Sequence, residues 1–300
     1  MADSNDSSNV YNSKEGIIQQ AFVVANCILN LPLMVIAILG NALVVATILK
    51  TRCLQTSSFQ MLCSLAVTDF LVGCMAQPFF IASELTMDPL VERLSEVIEC
   101  IFCGVSLSTM TAISLDRFLV LHYPMRYNAL IVEKSHVVSV SIIAVWISNV
   151  LLSGLYFWNW TAYFTIMAIG VCLCIFISTI SFIKIYQVVR KHRIQIHAQQ
   201  QAVAQSSDEV PGINILRMKR SALNTFIFYI AMILCYLPVL VSMSISSISY
   251  KHWTKIWHLA ETIVFINSSI NPVLYIWRLS DLRAAVLKTL KKFFSRTSND

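Results

Sequence analysis

Charge is scarce in this chain of 300 residues: Asp, Glu, Lys and Arg make up 13% of it, against 57% hydrophobic residues. Soluble domains carry roughly 25% charged and 45–50% apolar residues. A soluble enzyme of this size would therefore lack the polar surface to cover itself. Gly and Pro number only 7 each, which excludes a collagen-like chain and leaves room for few, short connections. A mean hydropathy of +0.68 excludes disorder. The opening MADSNDSSNVYNSKEG has no basic start followed by an apolar core, so no cleaved signal peptide is expected. No GxSxG, HExxH or Walker A pattern occurs, and an enzyme is not expected. The nine cysteines sit mostly inside apolar runs, where a thiol behaves as a small hydrophobe. They form no secreted disulfide framework, and the Cys100/Cys103 pair has no second CxxC to complete a metal site.

What the chain has is long apolar runs. Seven reach the length of about 20 residues that crosses a bilayer core: 18–49, 57–84, 91–121, 136–158, 162–190, 217–247 and 255–277. The expected fold is an all-α membrane protein, a seven-transmembrane helix bundle with a short amphipathic C-terminal helix. Residues 1–17 form an N-terminal tail, 18–277 the bundle, and 278–300 the amphipathic helix and tail. The fourth and fifth runs are separated only around Trp158-Asn159-Trp160-Thr161, and two spans fit that length better than one re-entrant hairpin.

Basic residues set the orientation. Lys50, Arg52, Arg126, Lys134, Arg190, Lys191, Arg193, Arg217, Lys219, Arg220 and the tail from Arg278 to Arg296 fall on one side. Only Lys14, Arg93, Lys251 and Lys255 fall on the other. The N-terminus is expected outside and the C-terminus in the cytoplasm, at the plasma membrane. Residues 191–214, rich in Gln, Ala and Ser, read as a mobile cytoplasmic loop. Residues 279–294 place Leu282, Val286, Leu290 and Phe293 on one face, as in a helix lying on the inner leaflet. Asn5-Asp6-Ser7 is a sequon on the outer side, so Asn5 is the glycosylation candidate.

An ionisable group in mid-span costs about 2.5–3.5 kcal/mol on insertion scales and is read as functional. Asp69, in SLAVTDFLVG, is such a group. Asn41, Ser106, Asn267, Ser268 and Asn271 lie at matching depth, so one buried hydrated network is expected. Taken singly, each Ser or Asn reads as a bond to a neighbouring helix. Pro238 and Pro272 interrupt their helices and supply hinges for a two-state switch.

These segments, in this order, resemble the rhodopsin-like (class A) G-protein-coupled receptors over roughly residues 20–290. The resemblance rests on GNALVV with Asn41, SLAVTD with Asp69, SLDRFLVLHYP with Asp116 and Arg117, Trp146, Tyr186, CYLP with Pro238, and NSSINPVLY with Asn271, Pro272 and Tyr275. It implies a receptor that binds a ligand outside and activates a heterotrimeric G protein inside. Arg117 would then face the G protein, with Tyr186 and Tyr275 supporting the open state. Asp69, Ser106, Asn267, Ser268 and Asn271 match the family's sodium pocket, with Asp69 as the metal ligand and sodium as an allosteric modulator rather than a cofactor.

Departures from the family pattern matter as well. Glu92 stands where the third span usually carries its bridging Cys, Ser178 replaces a Pro, Tyr236 a Trp and Met232 a Phe. Met218 stands in place of the acidic partner of the Arg117 equivalent. The resemblance thus implies a weakly locked inactive state with measurable basal activity. The short second loop looks like melanocortin and lipid-mediator receptors, whereas DRFLVLHYPMRYNALI looks like adenosine and amine receptors, so no ligand subfamily follows.

Glu92, Glu96 and Glu99 share one helix face. Glu99 lies where amine receptors carry their amine-pairing Asp, and Glu261 faces the same cavity in this reading. With Glu84 and Asp88 nearby, that much negative charge would attract a cation. The expected ligand is a cationic amine or a basic peptide, with a bound divalent cation also open. Its pocket would include Glu99, Glu96, Cys103, Tyr236, Met243, Glu261 and Phe265. A lipid or nucleoside ligand on the same fold stays open, with Phe79 and Phe80 as further apolar lining. A membrane transporter is the rival of another class, disfavoured because no internal repeat is visible. Membrane lipid is an expected partner and nucleic acid is not.

Overall fold

The computed structural model describes residues 3–122, 131–203, 212–245 and 250–297. Among them the regular structure is helical, with no strand. A backbone surrounded by hydrocarbon must satisfy its own N–H and C=O groups, and a helix does so within one segment. The elements are α1 (Asp3–Lys50), α2 (Ser57–Leu71), α3 (Gln77–Thr86), α4 (Pro89–His122), α5 (Ile131–Gly154), α6 (Trp160–Val203), α7 (Gly212–Ile245), α8 (Tyr250–Arg278) and α9 (Ser280–Thr297).

Seven stretches are long and apolar enough to cross a membrane: Gln20–Lys50, Ser57–Thr86, Pro89–His122, His136–Phe157, Thr161–Lys191, Phe226–Met243 and Ile256–Arg278. The molecule is a multi-pass membrane protein with a seven-helix bundle. Six spans meet their expected bounds within a few residues; the sixth qualifies only over Phe226–Met243 among the described residues. The fourth and fifth are two separate helices, joined through a short turn at Leu155–Phe157. Asn159 caps α6 there, its Oδ1 accepting from the Ala162 N–H at 3.0 Å.

The second span is α2 and α3 run together through a wider turn at Val72–Ala76, where the Gln77 N–H reaches back five residues to the Val72 carbonyl. Pro78 explains the turn, because it has no N–H to give the Cys74 carbonyl four residues earlier. Met87, in the left-handed region at φ 52°, ends α3. Asp88 then caps α4, its Oδ1 accepting from the Leu90 N–H at 2.8 Å. Pro89 follows at the first helical position, where its missing N–H costs nothing.

Burial separates the inner helices from the outer ones. Within their apolar windows the second, third and seventh spans are 50%, 56% and 61% buried, whereas the other four are between 17% and 22%. The central α4 packs on α2, α3, α5, α6 and α7, and α8 packs on α7 and α1. The spans that carry Asp69, Glu99 and Glu261 are thus the most enclosed ones.

Two boundaries differ from the sequence reading. α6 runs to Val203, so residues 191–203 are helix rather than loop. Their KHRIQIHAQQQAV contains no Gly or Pro and many good helix formers. α1 begins at Asp3, so residues 3–17 belong to a helix rather than a bare tail; their polar composition reports hydration, not conformation. The amphipathic helix exists as α9, but its apolar face is turned inward. Leu282 and Val286 are 0% and 2% exposed, packed in the core that joins α1 and α8. The Asn5 side chain, the Met218 side chain and the stretch 204–211 lie outside the described residues.

Candidate functional site

Asp69 is fully buried on α2 and accepts three hydrogen bonds from two other helices. Ser106 of α4 donates to Oδ1 at 3.0 Å. Ser268 of α8 donates to the same oxygen at 2.8 Å, and Asn271 of α8 donates to Oδ2 at 2.7 Å. Hydrogen bonds to an ionised group are the strong ones, and here they join three helices at one carboxylate. Asn267 departs from the expected cage. Its Nδ2 turns to the Met110 sulfur at 3.5 Å, and its Oδ1 has no hydrogen-bond partner.

Asn41 supports this centre from α1. Its Nδ2 donates to the Ser268 carbonyl at 3.1 Å. That carbonyl needs a donor because Pro272, four residues on, has no N–H. Asn41 thus replaces the missing helical bond and steadies Ser268, whose hydroxyl serves Asp69.

The oxygens around Asp69 suit a hard monovalent cation. The Asp69 carboxylate, the Ser106 and Ser268 hydroxyls and the Asn271 amide meet there, and the Oδ1 atoms of Asn267 and Asn271 are buried without hydrogen-bond partners. Oxygen donors of this kind favour alkali and alkaline-earth ions over transition metals.

A cavity of about 690 Å³, counting its open mouth, lies toward the end of the bundle that carries Glu99. Glu96, Glu99, Cys103, Tyr236, Met243, Glu261 and Phe265 all line it, as do Tyr163, Met167 and Trp257. Phe79 and Phe80 do not; Phe80 packs behind the wall, edge-to-face against Phe265 at 5.4 Å. Glu92 is exposed and not among the lining residues, and Asp88 caps α4. Among the described residues the lining contains no Lys or Arg.

The acidic side chains are organised by residues that the sequence reading passed over. Ser95 Oγ donates to Glu99 Oε1 at 2.6 Å. His258 Nδ1 lies 3.0 Å from Glu84 Oε1 and 3.3 Å from Glu261 Oε2, tying α3 to α8. The His258–Glu261 spacing of three residues put both on one helix face and was the available signal. The Glu84 partner could not be read, because it sits on another helix. Tyr236 donates to the Cys103 carbonyl at 2.9 Å, joining α7 to α4 beside the cavity.

At the opposite end Asp116 is buried and Arg117 half-buried. Tyr275 is 1% exposed, its ring 5.5 Å from Phe228, and its hydroxyl has no hydrogen-bond partner. Tyr186 is 57% exposed, so the two phenols read together from the sequence are not joined here. Pro238 and Pro272 lie inside continuous α7 and α8. Metal-ligating clusters of three or more His, Cys, Asp or Glu do not occur among the described residues, which gives the divalent-cation reading no support.

Comparison with known families agrees with this architecture. The family described as 7 transmembrane receptor (rhodopsin family) matches residues 40–163, from Gly40 in α1 to the start of α6.

Proposed function

We propose that this chain, whose residues 40–163 match the rhodopsin family of seven-transmembrane receptors, is such a receptor and carries the signal of an extracellular cationic amine to a heterotrimeric G protein. The observation that supports this reading is the cavity wall. Glu96, Glu99 and Glu261 line it, and among the described residues no Lys or Arg does. Buried carboxylates of this density need a positive partner, and an ammonium group supplies one. The rest of the lining, including Val171, Val239, Met243 and Phe265, accepts an apolar or aromatic body. Glu99 is the main anchor. That same apolar lining favours a lipid as the second reading. A basic peptide would engage only by one terminal or side-chain cation.

The distribution of Lys and Arg supports an N-terminus outside, a C-terminus in the cytoplasm and residence in the plasma membrane. Asn5 would then carry glycan. Arg117 and Asp116 sit at the cytoplasmic end in this orientation, where Arg117 would meet the G protein. The hinges at Pro238 and Pro272, and the phenols of Tyr186 and Tyr275, would accommodate the rearrangement that opens the docking cleft. Asp69, Ser106, Ser268 and Asn271, with Asn267 Oδ1, would hold a sodium ion. The ion would add positive charge beside a buried carboxylate and favour the closed arrangement.

The deciding experiment is second-messenger output from cells expressing the chain, challenged with a panel of amines, peptides, nucleosides and lipids. A cationic amine is expected to activate it, with Glu99→Gln lowering potency by more than tenfold. Activation by neutral lipids alone, or an unchanged amine potency in Glu99→Gln, would remove the amine reading.

A further inference from the structure

Glu84 of α3 and Glu261 of α8 approach one nitrogen from two helices. His258 Nδ1 stands 3.0 Å from Glu84 Oε1 and 3.3 Å from Glu261 Oε2. Both carboxylates are buried, with side chains 5% and 10% exposed. Of these three residues only Glu261 lines the cavity. Glu84 and His258 stand behind the wall.

A carboxylate oxygen accepts and has no hydrogen to give, so an Nδ1 between two of them carries the hydrogen. That choice fixes the tautomer of the ring and the edge it presents. The rest of the residue is held as well. Phe80, one turn before Glu84 on the same face of α3, sets its ring 6.0 Å from the imidazole and 5.4 Å from Phe265 of the cavity wall. On the α1 side, Asn26 Nδ2 donates to the His258 carbonyl at 3.5 Å, and its Oδ1 accepts from Thr262 Oγ1 at 2.8 Å. The turn of α8 that carries Glu261 is thus pinned from two helices: α1 holds it through residues 258 and 262, and α3 holds it through the ring. A carboxylate tied at Oε2 keeps Oε1 for a second partner.

We infer that His258 and Glu84 are positioning residues for Glu261: Glu84 orients the His258 ring, and the ring orients the carboxylate that meets a ligand's ammonium group. This inference rests on the amine reading for its ligand. Neither residue touches the ligand. Glu84 lies outside the cavity and acts on affinity only through Glu261, so the cation anchor depends on α3 as well as on α4 and α8.

Tryptamine binding to the full chain in lipid nanodiscs, with nitrogen NMR of the histidine rings in the same samples, tests this. The His258 signal is the one that His258→Asn removes. Its Nδ1 shift should move in Glu84→Gln and in Glu261→Gln, with no ligand present. Glu84→Leu takes away the acceptor and should lower tryptamine affinity about tenfold, the worth of a hydrogen bond to a charged group. Glu84→Gln keeps an oxygen for the ring and should lose less. His258→Asn keeps a donor near the place of Nδ1 and should lose less than His258→Leu. In a Glu261→Gln background, Glu84→Leu should cost no further affinity. The inference is overturned by an Nδ1 shift indifferent to either carboxylate, by unchanged tryptamine affinity in Glu84→Leu, or by a Glu84→Leu loss that persists undiminished beside Glu261→Gln. A shift that answers to both carboxylates, in a chain that binds tryptamine at no concentration, supports the tie and sinks the amine reading instead.

Discussion

Gly40 of α1 lies directly under the ring of Pro272 in α8: a Cβ at Gly40 would stand 2.7 Å from the Pro272 Cγ and 3.0 Å from its Cβ. The ring is rigid and belongs to the helix that carries three of the residues around Asp69, so it cannot yield like a flexible side-chain tip. Gly40→Ala should therefore destabilise the bundle by about 1–3 kcal/mol, the usual cost of overpacking. Thermal unfolding in detergent would show a lower Tm. Gly170→Ala is the control, because nothing lies within 4 Å of its added Cβ, and its Tm should not fall.

The bond from Asn41 to the Ser268 carbonyl gives a sharper prediction, because its cause is Pro272. Asn41→Ala should cost about 1–3 kcal/mol by leaving a buried acceptor unpaired. Pro272→Ala would return an N–H to that carbonyl. In the Pro272→Ala background, Asn41→Ala should then cost much less. A double-mutant cycle on thermal stability reads the coupling, and strictly additive effects would refute the compensation.

Much of this was legible in the chain itself, and what was not has a physical reason. The seven spans were readable because apolar length alone decides membrane crossing. The seven residues grouped by helical spacing and the family pattern line one cavity, and their part in binding a ligand is what we propose. The sequence could not show that Asn267 turns to Met110, since two amides four residues apart on α8 compete for one carboxylate and only packing selects Asn271. Nor could it pair His258 with Glu84, which is 174 positions away in the chain. The inward docking of α9 was hidden for a similar cause: Leu282 and Val286 look alike whether covered by lipid or by protein.

Asp69 is held by three donors, so its neutral isostere should preserve the packing while removing the charge. Asp69→Asn is expected to fold, reach the surface and lose any dependence of agonist affinity on sodium. Asn267→Ala, whose Oδ1 has no partner, should weaken the sodium effect with little loss of stability. Sodium titration of radioligand binding is the measurement. A sodium response that survives Asp69→Asn would move the ion elsewhere.

Arg117→Ala separates signalling from folding. Arg117 is half-buried at the end of the bundle opposite the cavity, too far to touch a ligand there. The variant should reach the cell surface and bind ligand, yet give no second-messenger response. Intact signalling by a surface-expressed Arg117→Ala chain would show that the transducer docks without it.

The last prediction concerns the resting state. The hydroxyl of Tyr236 binds the Cys103 carbonyl at 2.9 Å and ties α7 to α4. A bond of this kind contributes about 0.5–1.5 kcal/mol. An outward movement of α7 would have to break it, so it weighs only on the closed side of the switch. Removing about 1 kcal/mol from that side changes the closed-to-open ratio roughly fivefold. The wild-type chain, with Met218 in place of an acidic lock, should already signal without ligand. Tyr236→Phe keeps the ring and removes only the hydroxyl, and should raise that basal signal several-fold at equal surface expression. A silent wild type that ligand does activate, or a Tyr236→Phe variant with lower basal output, would place the restraint on α7 somewhere other than this bond.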